Sequence, residues 1–200
     1  MIYIGIDPGL DGGIAFLNEN LIVLEKTPII GGRDYDIQEM KKMLKLWLDW
    51  ECFCTIENQI SMPGQGLTST LTTGKGFGIW LGLLAGLEIP HQVVHAKSWQ
   101  TKLFSGTSLK LDTKARSEIV AKRLFPQADF RKSERARVAN DGLTDAACIA
   151  EYGRRTHSKG DPGTGIPHTP LESTPSVCGT CGRYIPGDEM GCLKKYNYER

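Results

Sequence analysis

The stretch IYIGIDPGLDGGIAFLNENLIVLEK, residues 2–26, decides the fold class of this chain. It contains three runs rich in β-forming residues, Ile2–Ile6, Gly13–Leu17 and Leu21–Lys26, separated by turn residues. Gaps this short favour antiparallel hairpins. We therefore predict that the chain opens with a three-stranded meander.

Helical and strand-like segments alternate after the meander. Apolar spacing predicts a helix over Asp36–Trp50, with Asp36 as its N-cap and Glu39 completing a capping box. Phe53–Glu57 and Gln92–His95 are predicted strands. The remaining predictions are a Gly/Thr/Ser-rich loop over Asn58–Gly74 and helices over Lys75–Leu87, Ser98–Phe104, Asp112–Phe125 and Asp141–Arg155. This order predicts an α/β domain with antiparallel strands first and parallel crossovers after them.

Composition divides the chain into three parts. Residues 1–155 carry the strands and helices, and their length suits one folded domain. Residues 156–177 include four Pro, three Gly and seven Ser or Thr, which is typical of a linker. Residues 178–200 form a short tail that bears three cysteines. We therefore predict one domain, a linker and a small appendage.

The chain is nearly neutral, with a formal net charge of +1, yet its charges are segregated. Residues 1–60 carry five Lys or Arg against ten Asp or Glu, whereas residues 97–137 carry eleven against four. Such a protein can present an acidic site beside a basic face, although charged loops also cluster by chance. The longest apolar run, Ile79–Leu87, is far shorter than the ~20 residues that span a membrane.

Two features bear on the compartment. The first residues show no basic segment followed by an apolar one, so we expect no secretory signal. Cys52, Cys54 and Cys148 lie in apolar segments and are expected to be buried thiols. We therefore expect an intracellular, reducing location.

Four acidic residues are candidates for a metal site. Asp7 and Glu57 end strand-like runs, where a carboxylate is costly unless it meets a metal, a cation or solvent. Asp7 could instead begin an Asx turn. Asp141 and Asp145 share one helix face, although Asp141 could simply cap that helix. Oxygen ligands without histidine favour Mg²⁺ or Mn²⁺, and two such ions can activate water for phosphodiester cleavage.

The basic segment complements such a site, because a phosphodiester backbone attracts clustered cations. Any single lysine is more often a solvated surface residue, so we interpret the cluster as a group. The residues expected to contact DNA are Lys97, Lys102, Lys110, Lys114, Arg131 and Lys132. An acidic site beside a basic track predicts a metal-dependent nuclease.

Several motifs, taken in order, match a known family. They are IGIDPG ending at Gly9, TIENQ around Glu57, GFGIW ending at Trp80, RLFP ending at Pro126 and DGLTDAACIAEYGRR ending at Arg155. With these motifs, residues 1–155 resemble the RuvC Holliday junction resolvases of the RNase H-like superfold. The resemblance looks strongest to their phage and chloroplast branch.

The resemblance implies a fold, a mechanism and partners. It implies a mixed five-stranded sheet flanked by helices, and a homodimeric crossover junction endonuclease acting on four-way DNA. It also implies that Asp7 is shared by two Mg²⁺ or Mn²⁺ ions, with Glu57, Asp141 and Asp145 completing their coordination. Bacterial members space the last two acids by three residues, whereas this chain spaces them by four.

Two segments bear on how such an enzyme would engage a junction. Gly78, Gly82 and Gly86 form a stripe of small residues, which would pack either against a second copy or against the chain's own sheet. The resemblance implies an aromatic wedge in the loop after the catalytic Glu. Ser61–Gly76 has no aromatic residue here, so either Met62 and Leu67 replace the wedge or the loop acts differently.

The tail carries a possible zinc site. Cys178 and Cys181 form a CGTCG knuckle, and Cys192 follows. We expect zinc to bind there; the alternative is a flexible tail with free thiols. A fourth ligand could come from another subunit or from His168, Asp188 or Glu189.

Three other functions stay open on sequence alone. An RNase H-like nuclease could act on other branched or RNA-containing substrates. An ATPase of the actin and sugar-kinase fold could line phosphates with Asp11, Gly12 and Gly13, but it usually needs two such domains. A non-catalytic DNA-binding adaptor would not need four intact acids.

Overall fold

A computed structural model of the chain describes residues 1–19, 21–60, 64, 66–133, 135–157, 176–177 and 184–185. The chain divides into two compact units, Met1–Ile166 and Pro167–Arg200. The elements, in chain order, are β1 (Ile2–Asp7), β2 (Gly13–Leu17), β3 (Ile22–Lys26), β4 (Ile29–Ile30), β5 (Asp34–Tyr35), α1 (Ile37–Lys45), β6 (Cys52–Glu57), α2 (Leu67–Gly86), β7 (His91–Val94), α3 (Ala96–Leu103), α4 (Thr113–Leu124), α5 (Asp141–His157), β8 (Ser176–Val177) and β9 (Tyr184–Ile185). In the second unit, β8 and β9 form an antiparallel pair.

The first unit is built on a five-stranded mixed sheet of order β3-β2-β1-β6-β7. Strands β1, β2 and β3 form the predicted antiparallel meander, and β6 and β7 continue the sheet as parallel strands. Helices α1 and α2 lie in the crossovers that lead to β6 and β7. The predicted mixed α/β sheet is confirmed, and the carboxyl ends of β1, β6 and β7 therefore meet at one edge.

Alternation along β1 separates two layers. Ile4 and Ile6 are fully buried in a core that also includes residues of α1 and α2. Because successive side chains point to opposite faces, Gly5 and Asp7 face the other way. Helix α5 packs on that second face, and α3 and α4 contact α5.

Helix α5 lies very close to β1 because residue 5 is glycine. A Cβ atom at Gly5 would lie 2.2 Å from the Ala146 carbonyl oxygen and 2.3 Å from the Ala150 amide nitrogen. At the start of the helix, a Cβ atom at Gly142 would lie 2.4 Å from the Asp11 carbonyl oxygen. A side chain at either position would push α5 away from the sheet.

Helix α2 begins at Leu67 rather than at the predicted Lys75, so the second half of the predicted loop Asn58–Gly74 is wrong. The early turns are rich in Thr, Ser and Gly, which have low helix propensity. Tertiary contacts compensate, since the Lys75 ammonium pairs with the Asp34 carboxylate at 2.6 Å.

A short hairpin of β4 and β5 precedes α1 and was not predicted. Tyr35 ends this hairpin and is only 4% exposed. Its hydroxyl lies 3.4 Å from the Pro8 carbonyl oxygen and 3.3 Å from that of Thr72. The hairpin therefore ties the turn after β1 to helix α2.

Asp36 caps α1 as predicted, since its Oδ1 accepts a hydrogen bond from the Glu39 amide at 3.0 Å. The reciprocal half of the predicted capping box is not formed. The Asp36 amide donates to the Pro28 carbonyl instead, and the Glu39 carboxylate pairs with Lys42. The regular helix ends at Lys45, earlier than predicted.

The cysteines of the first unit are structural. Cys52, Cys54 and Cys148 are buried free thiols, as expected. Burial raises the pKa of Cys52 to about 11 and that of Cys148 to about 12, so these two stay protonated at neutral pH. Within the described ranges, no helix has both the length and the apolar character needed to cross a bilayer.

Candidate metal centre and nucleic-acid interface

Asp7 and Glu57 lie side by side at one edge of the sheet. Strands β1 and β6 are parallel, with Ile6 opposite Ile56. The next residue of each strand is an acid, and neighbouring strands are about 4.8 Å apart. Because side chains alternate, both carboxylates face the layer that holds α5.

Helix α5 brings a third acid to the same place. Ala146 rests on Gly5 of β1, so the preceding residue, Asp145, lies near the end of that strand. Among neighbouring charges, Asp145 has the largest effect on the pKa of Asp7. The close approach of helix and strand at Gly5 therefore positions Asp145.

Asp141 is the first residue of α5, but it does not cap the helix. Asn140 does so, since its Oδ1 accepts a hydrogen bond from the Leu143 amide at 3.1 Å. The Asp141 carboxylate is exposed and pairs with the Lys114 ammonium at 2.5 Å. The Asp141 carboxylate is therefore not used for helix capping and can pair with a cation.

Hydrogen-bond donors from α3 and α4 each bind one carboxylate oxygen, one on Glu57 and one on Asp145. The indole Nε1 of Trp99 donates to Glu57 Oε2 at 2.6 Å, and Trp99 itself is fully buried. The hydroxyl of Ser117 donates to Asp145 Oδ1 at 2.5 Å. Hydrogen bonds to ionised acceptors are short and strong, so both carboxylates are held in place.

Burial and mutual repulsion make these carboxyl groups weak acids in the metal-free protein. Burial, followed by the charges of Asp145 and Glu57, raises the pKa of Asp7 to about 8. Burial also raises the pKa of Asp145 to about 7, although the Ser117 hydroxyl opposes this. The pKa of Glu57 is raised by burial and lowered by its hydrogen bond from Trp99. A bound cation would stabilise the ionised carboxylates and so lower these raised pKa values.

The acids are near enough to change one another's pKa, yet they do not converge on one point. In the part of the chain that the structure describes, no three His, Cys, Asp or Glu side chains are grouped closely enough to hold a metal ion. Trp99 and Ser117 each bind one oxygen of their carboxylate, and Lys114 pairs with the carboxylate of Asp141. Their oxygen ligands, and the mutual repulsion that helps to raise their pKa values, fit a hard divalent cation, although the side chains would have to move to close the site around it.

The residues expected to contact DNA are all exposed. Three of them make contacts within the protein. Lys114 pairs with Asp141, Arg131 pairs with Asp129 at 2.7 Å, and the Lys102 ammonium lies 5.3 Å from the centre of the Tyr152 ring. Lys97, Lys110 and Lys132 are also at the surface.

Sequence reasoning missed Trp99 and Ser117 as functional contacts. Trp99 is also a core residue, since its ring is buried while its N–H reaches Glu57. Ser117 faces Asp145 from a different helix. Neither contact has a local sequence signal, because the paired residues are 42 and 28 positions apart.

The glycine stripe of α2 faces away from the chain's own sheet. A Cβ atom at Gly78, Gly82 or Gly86 would meet nothing within 4 Å among the described residues. The alternative in which this stripe packs against the chain's own sheet is therefore wrong. Leu67, at the start of the same helix, is 86% exposed.

Several predicted residues lie outside the described ranges. One of them is Met62, which follows β6 and precedes α2 in the sequence. The others are the residues predicted to bind zinc, namely Cys178, Cys181 and Cys192, and the candidate fourth ligands His168, Asp188 and Glu189.

Comparisons with known proteins address the fold. The sequence matches no protein-family model and no curated protein. RuvC from Thermus thermophilus in complex with a Holliday junction substrate matches with a TM-score of 0.56 at 14% identity, over 84% of this chain and 100% of that one. A second Thermus thermophilus RuvC structure matches with a TM-score of 0.52 at 17% identity and the same coverage. The yeast mitochondrial Holliday junction resolvase Ydc2 matches with a TM-score of 0.50 at 16% identity, over 78% of each chain.

In this chain an antiparallel meander is followed by two parallel strands, and Asp7 and Glu57 lie where β1 and β6 end. The chain therefore has the RNase H-like fold of the RuvC-type Holliday junction resolvases.

Proposed function

We propose that this chain is a divalent-metal-dependent endonuclease that cleaves four-way DNA junctions. The observation that carries the proposal is the placement of Asp7, Glu57 and Asp145 at one sheet edge, on one face. Structures of this fold include a RuvC bound to a Holliday junction substrate. Acidic side chains at this edge, next to a basic segment, suit phosphodiester hydrolysis better than nucleotide binding.

Asp7, Glu57 and Asp145 would hold Mg²⁺ or Mn²⁺, and Asp141 would join them by leaving Lys114. Support for a cation comes from Asp7, whose carboxyl has negative neighbours and a pKa of about 8. When bound, such a pair of ions would supply an activated water and would stabilise the leaving oxygen.

The chain's own residues then have separate tasks. Trp99 and Ser117 each occupy one oxygen of their acid, so that the other oxygen of Glu57 and of Asp145 is left to face the site. Lys114, at the start of α4, places a positive charge beside the carboxylates. The cations predicted to contact DNA bind the phosphates that flank the cleaved one; they are Lys97, Lys102, Lys110, Lys114, Arg131 and Lys132.

A second copy of the chain would supply the second nick. A C₂ dimer matches the near two-fold symmetry of a four-way junction. The exposed stripe of Gly78, Gly82 and Gly86 on α2 supports close contact between two such helices. Sedimentation of the purified protein tests this, and a monomer at micromolar concentration would contradict it.

The decisive experiment compares substrates and variants in Mg²⁺ and Mn²⁺. The wild type should nick four-way junctions in preference to Y-forks, linear duplex and RNA–DNA hybrid. Asp7→Asn and Asp145→Asn should abolish cleavage while binding in Ca²⁺ persists. Asp49→Asn is the matched control, because Asp49 is exposed and precedes β6, at the opposite end of that strand. Normal cleavage by either site variant would show that the site assignment is wrong.

We also propose that Cys178, Cys181 and Cys192 bind zinc in the tail, with His168 as a candidate fourth ligand. The spacing CxxC supports this. Metal analysis of the purified wild type should find about one zinc per chain, and Cys178→Ser should lose it. A wild type without zinc would contradict the proposal.

A further inference from the structure

A groove beside α3 is lined by cationic and neutral side chains. It has a volume of about 580 Å³ and runs between α3 and the loop that leads to α4. Its cations are Lys97 and Arg116, and its neutral polar groups include Gln100, Thr101 and Thr107. No acidic residue is among those that line it. Two other cavities of the described chain each include two acids, namely Glu25 with Asp129 and Glu19 with Glu151.

Arg116 is already held in position at this groove. Its Nε donates to the Thr107 hydroxyl oxygen at 2.8 Å, and its guanidinium carbon lies 4.7 Å from the centre of the Phe104 ring. The Thr107 hydroxyl in turn donates to the Phe104 carbonyl at 2.7 Å. The terminal nitrogens of Arg116 make no hydrogen bond or ion pair with any residue that the structure describes. Among the described residues, nothing therefore competes with an anion for these nitrogens.

The groove lies next to the carboxylate site. Arg116 immediately precedes Ser117, whose hydroxyl holds Asp145. The groove's buried Phe104 packs edge-on against Trp99, with 5.5 Å between the ring centres. Trp99 in turn donates to Glu57. The groove and the carboxylate site are therefore built on the same two helices, α3 and α4.

From these contacts we infer that the groove binds the sugar–phosphate backbone of one DNA strand beside the phosphate to be cleaved, with Arg116 as its anchor. This inference rests on the proposed function and adds the path of the strand. An ordered guanidinium and a lysine, with hydroxyl and amide donors and no carboxylate, match phosphate oxygens. Leu109, which is 86% exposed at the rim, offers an apolar contact to a sugar. Binding there is independent of base sequence.

The test measures the affinity of the whole chain for a labelled four-way junction in Ca²⁺, over a range of salt concentrations. Arg116→Gln should weaken binding about fivefold or more and lower the salt slope by about one. Lys122→Gln is the matched control, with the same charge change on the same helix. Lys122 is exposed and pairs with Glu118, so this variant should bind like the wild type.

A second variant keeps the test independent of folding. Thr101→Glu places a carboxylate in the groove at an exposed position, without removing the contacts of Arg116, and should weaken binding more than Arg116→Gln. If both variants bind the junction with wild-type affinity and salt slope, the groove is not the path of the strand. If the wild type itself binds no DNA, the proposed function fails instead.

Discussion

Replacing Gly5 by alanine tests how the fold builds the site. The new Cβ atom would lie 2.2 Å from the Ala146 carbonyl oxygen and 2.3 Å from the Ala150 amide nitrogen, so α5 must move by about 1 Å to restore ordinary contact. Both atoms belong to backbone, which cannot rotate away, so we take the upper end of the usual overpacking cost, about 3 kcal/mol. For a domain of this size that lowers Tm by about 6–12 °C.

The cleavage rate should fall by more than the loss of folded protein explains, because the same movement of α5 displaces Asp145. A misplacement of about 1 Å can reduce catalysis about a hundredfold. Scanning calorimetry and single-turnover cleavage at a temperature well below both transitions separate the two effects. The matched control is Gly74→Ala in α2, where a Cβ atom meets nothing within 4 Å among the described residues. That variant should gain about 0.5–1 kcal/mol. A Gly5→Ala protein as stable and active as the wild type would refute the reasoning.

Two further predictions concern the acids. The pKa of Asp7, about 8, and that of Asp145, about 7, are raised in the folded state, so the metal-free folded protein retains protons that the unfolded chain has released. Its free energy of unfolding should therefore fall as pH rises from about 5 to about 8, and Tm measured in EDTA follows this change. The Asp7→Asn variant should show a weaker dependence of Tm on pH. A wild-type Tm that rises over the same range would contradict the prediction. Trp99→Phe removes the 2.6 Å hydrogen bond to Glu57. It should cost about 1.5–3 kcal/mol in urea unfolding and raise the Mn²⁺ concentration needed for half-maximal cleavage; unchanged values for both would mean that the indole N–H does not hold Glu57.

Much of the sheet could be predicted from the sequence, because its signals are local. Turn residues between short β-rich runs indicate the meander, and the helical segments that follow require parallel crossovers. The start of α2 could not be predicted this way. Its Thr- and Gly-rich first turns have low helix propensity, and the contacts that support them come from Asp34 and Tyr35, more than thirty residues earlier.

The acids of the candidate site were found because each ends a strand or lies on a helix that packs closely against the sheet. Their hydrogen-bond donors were not found, because Trp99 and Ser117 meet Glu57 and Asp145 only after the chain has folded. The role of Arg116 was missed for the same reason. Within a basic segment, only the fold distinguishes an arginine fixed by Thr107 from lysines that are merely exposed.

If the chain binds DNA and a cation as proposed, the ion pair between Lys114 and Asp141 makes these two binding events interdependent. The Lys114 ammonium cannot pair fully with Asp141 and with a DNA phosphate at the same time. In the free protein it pairs with Asp141. A phosphate that takes Lys114 leaves the Asp141 carboxylate without its counter-ion, just when a cation is needed beside it. Lys114 would then pair with the phosphate and Asp141 with the cation. DNA and the cation should therefore each bind more tightly in the presence of the other.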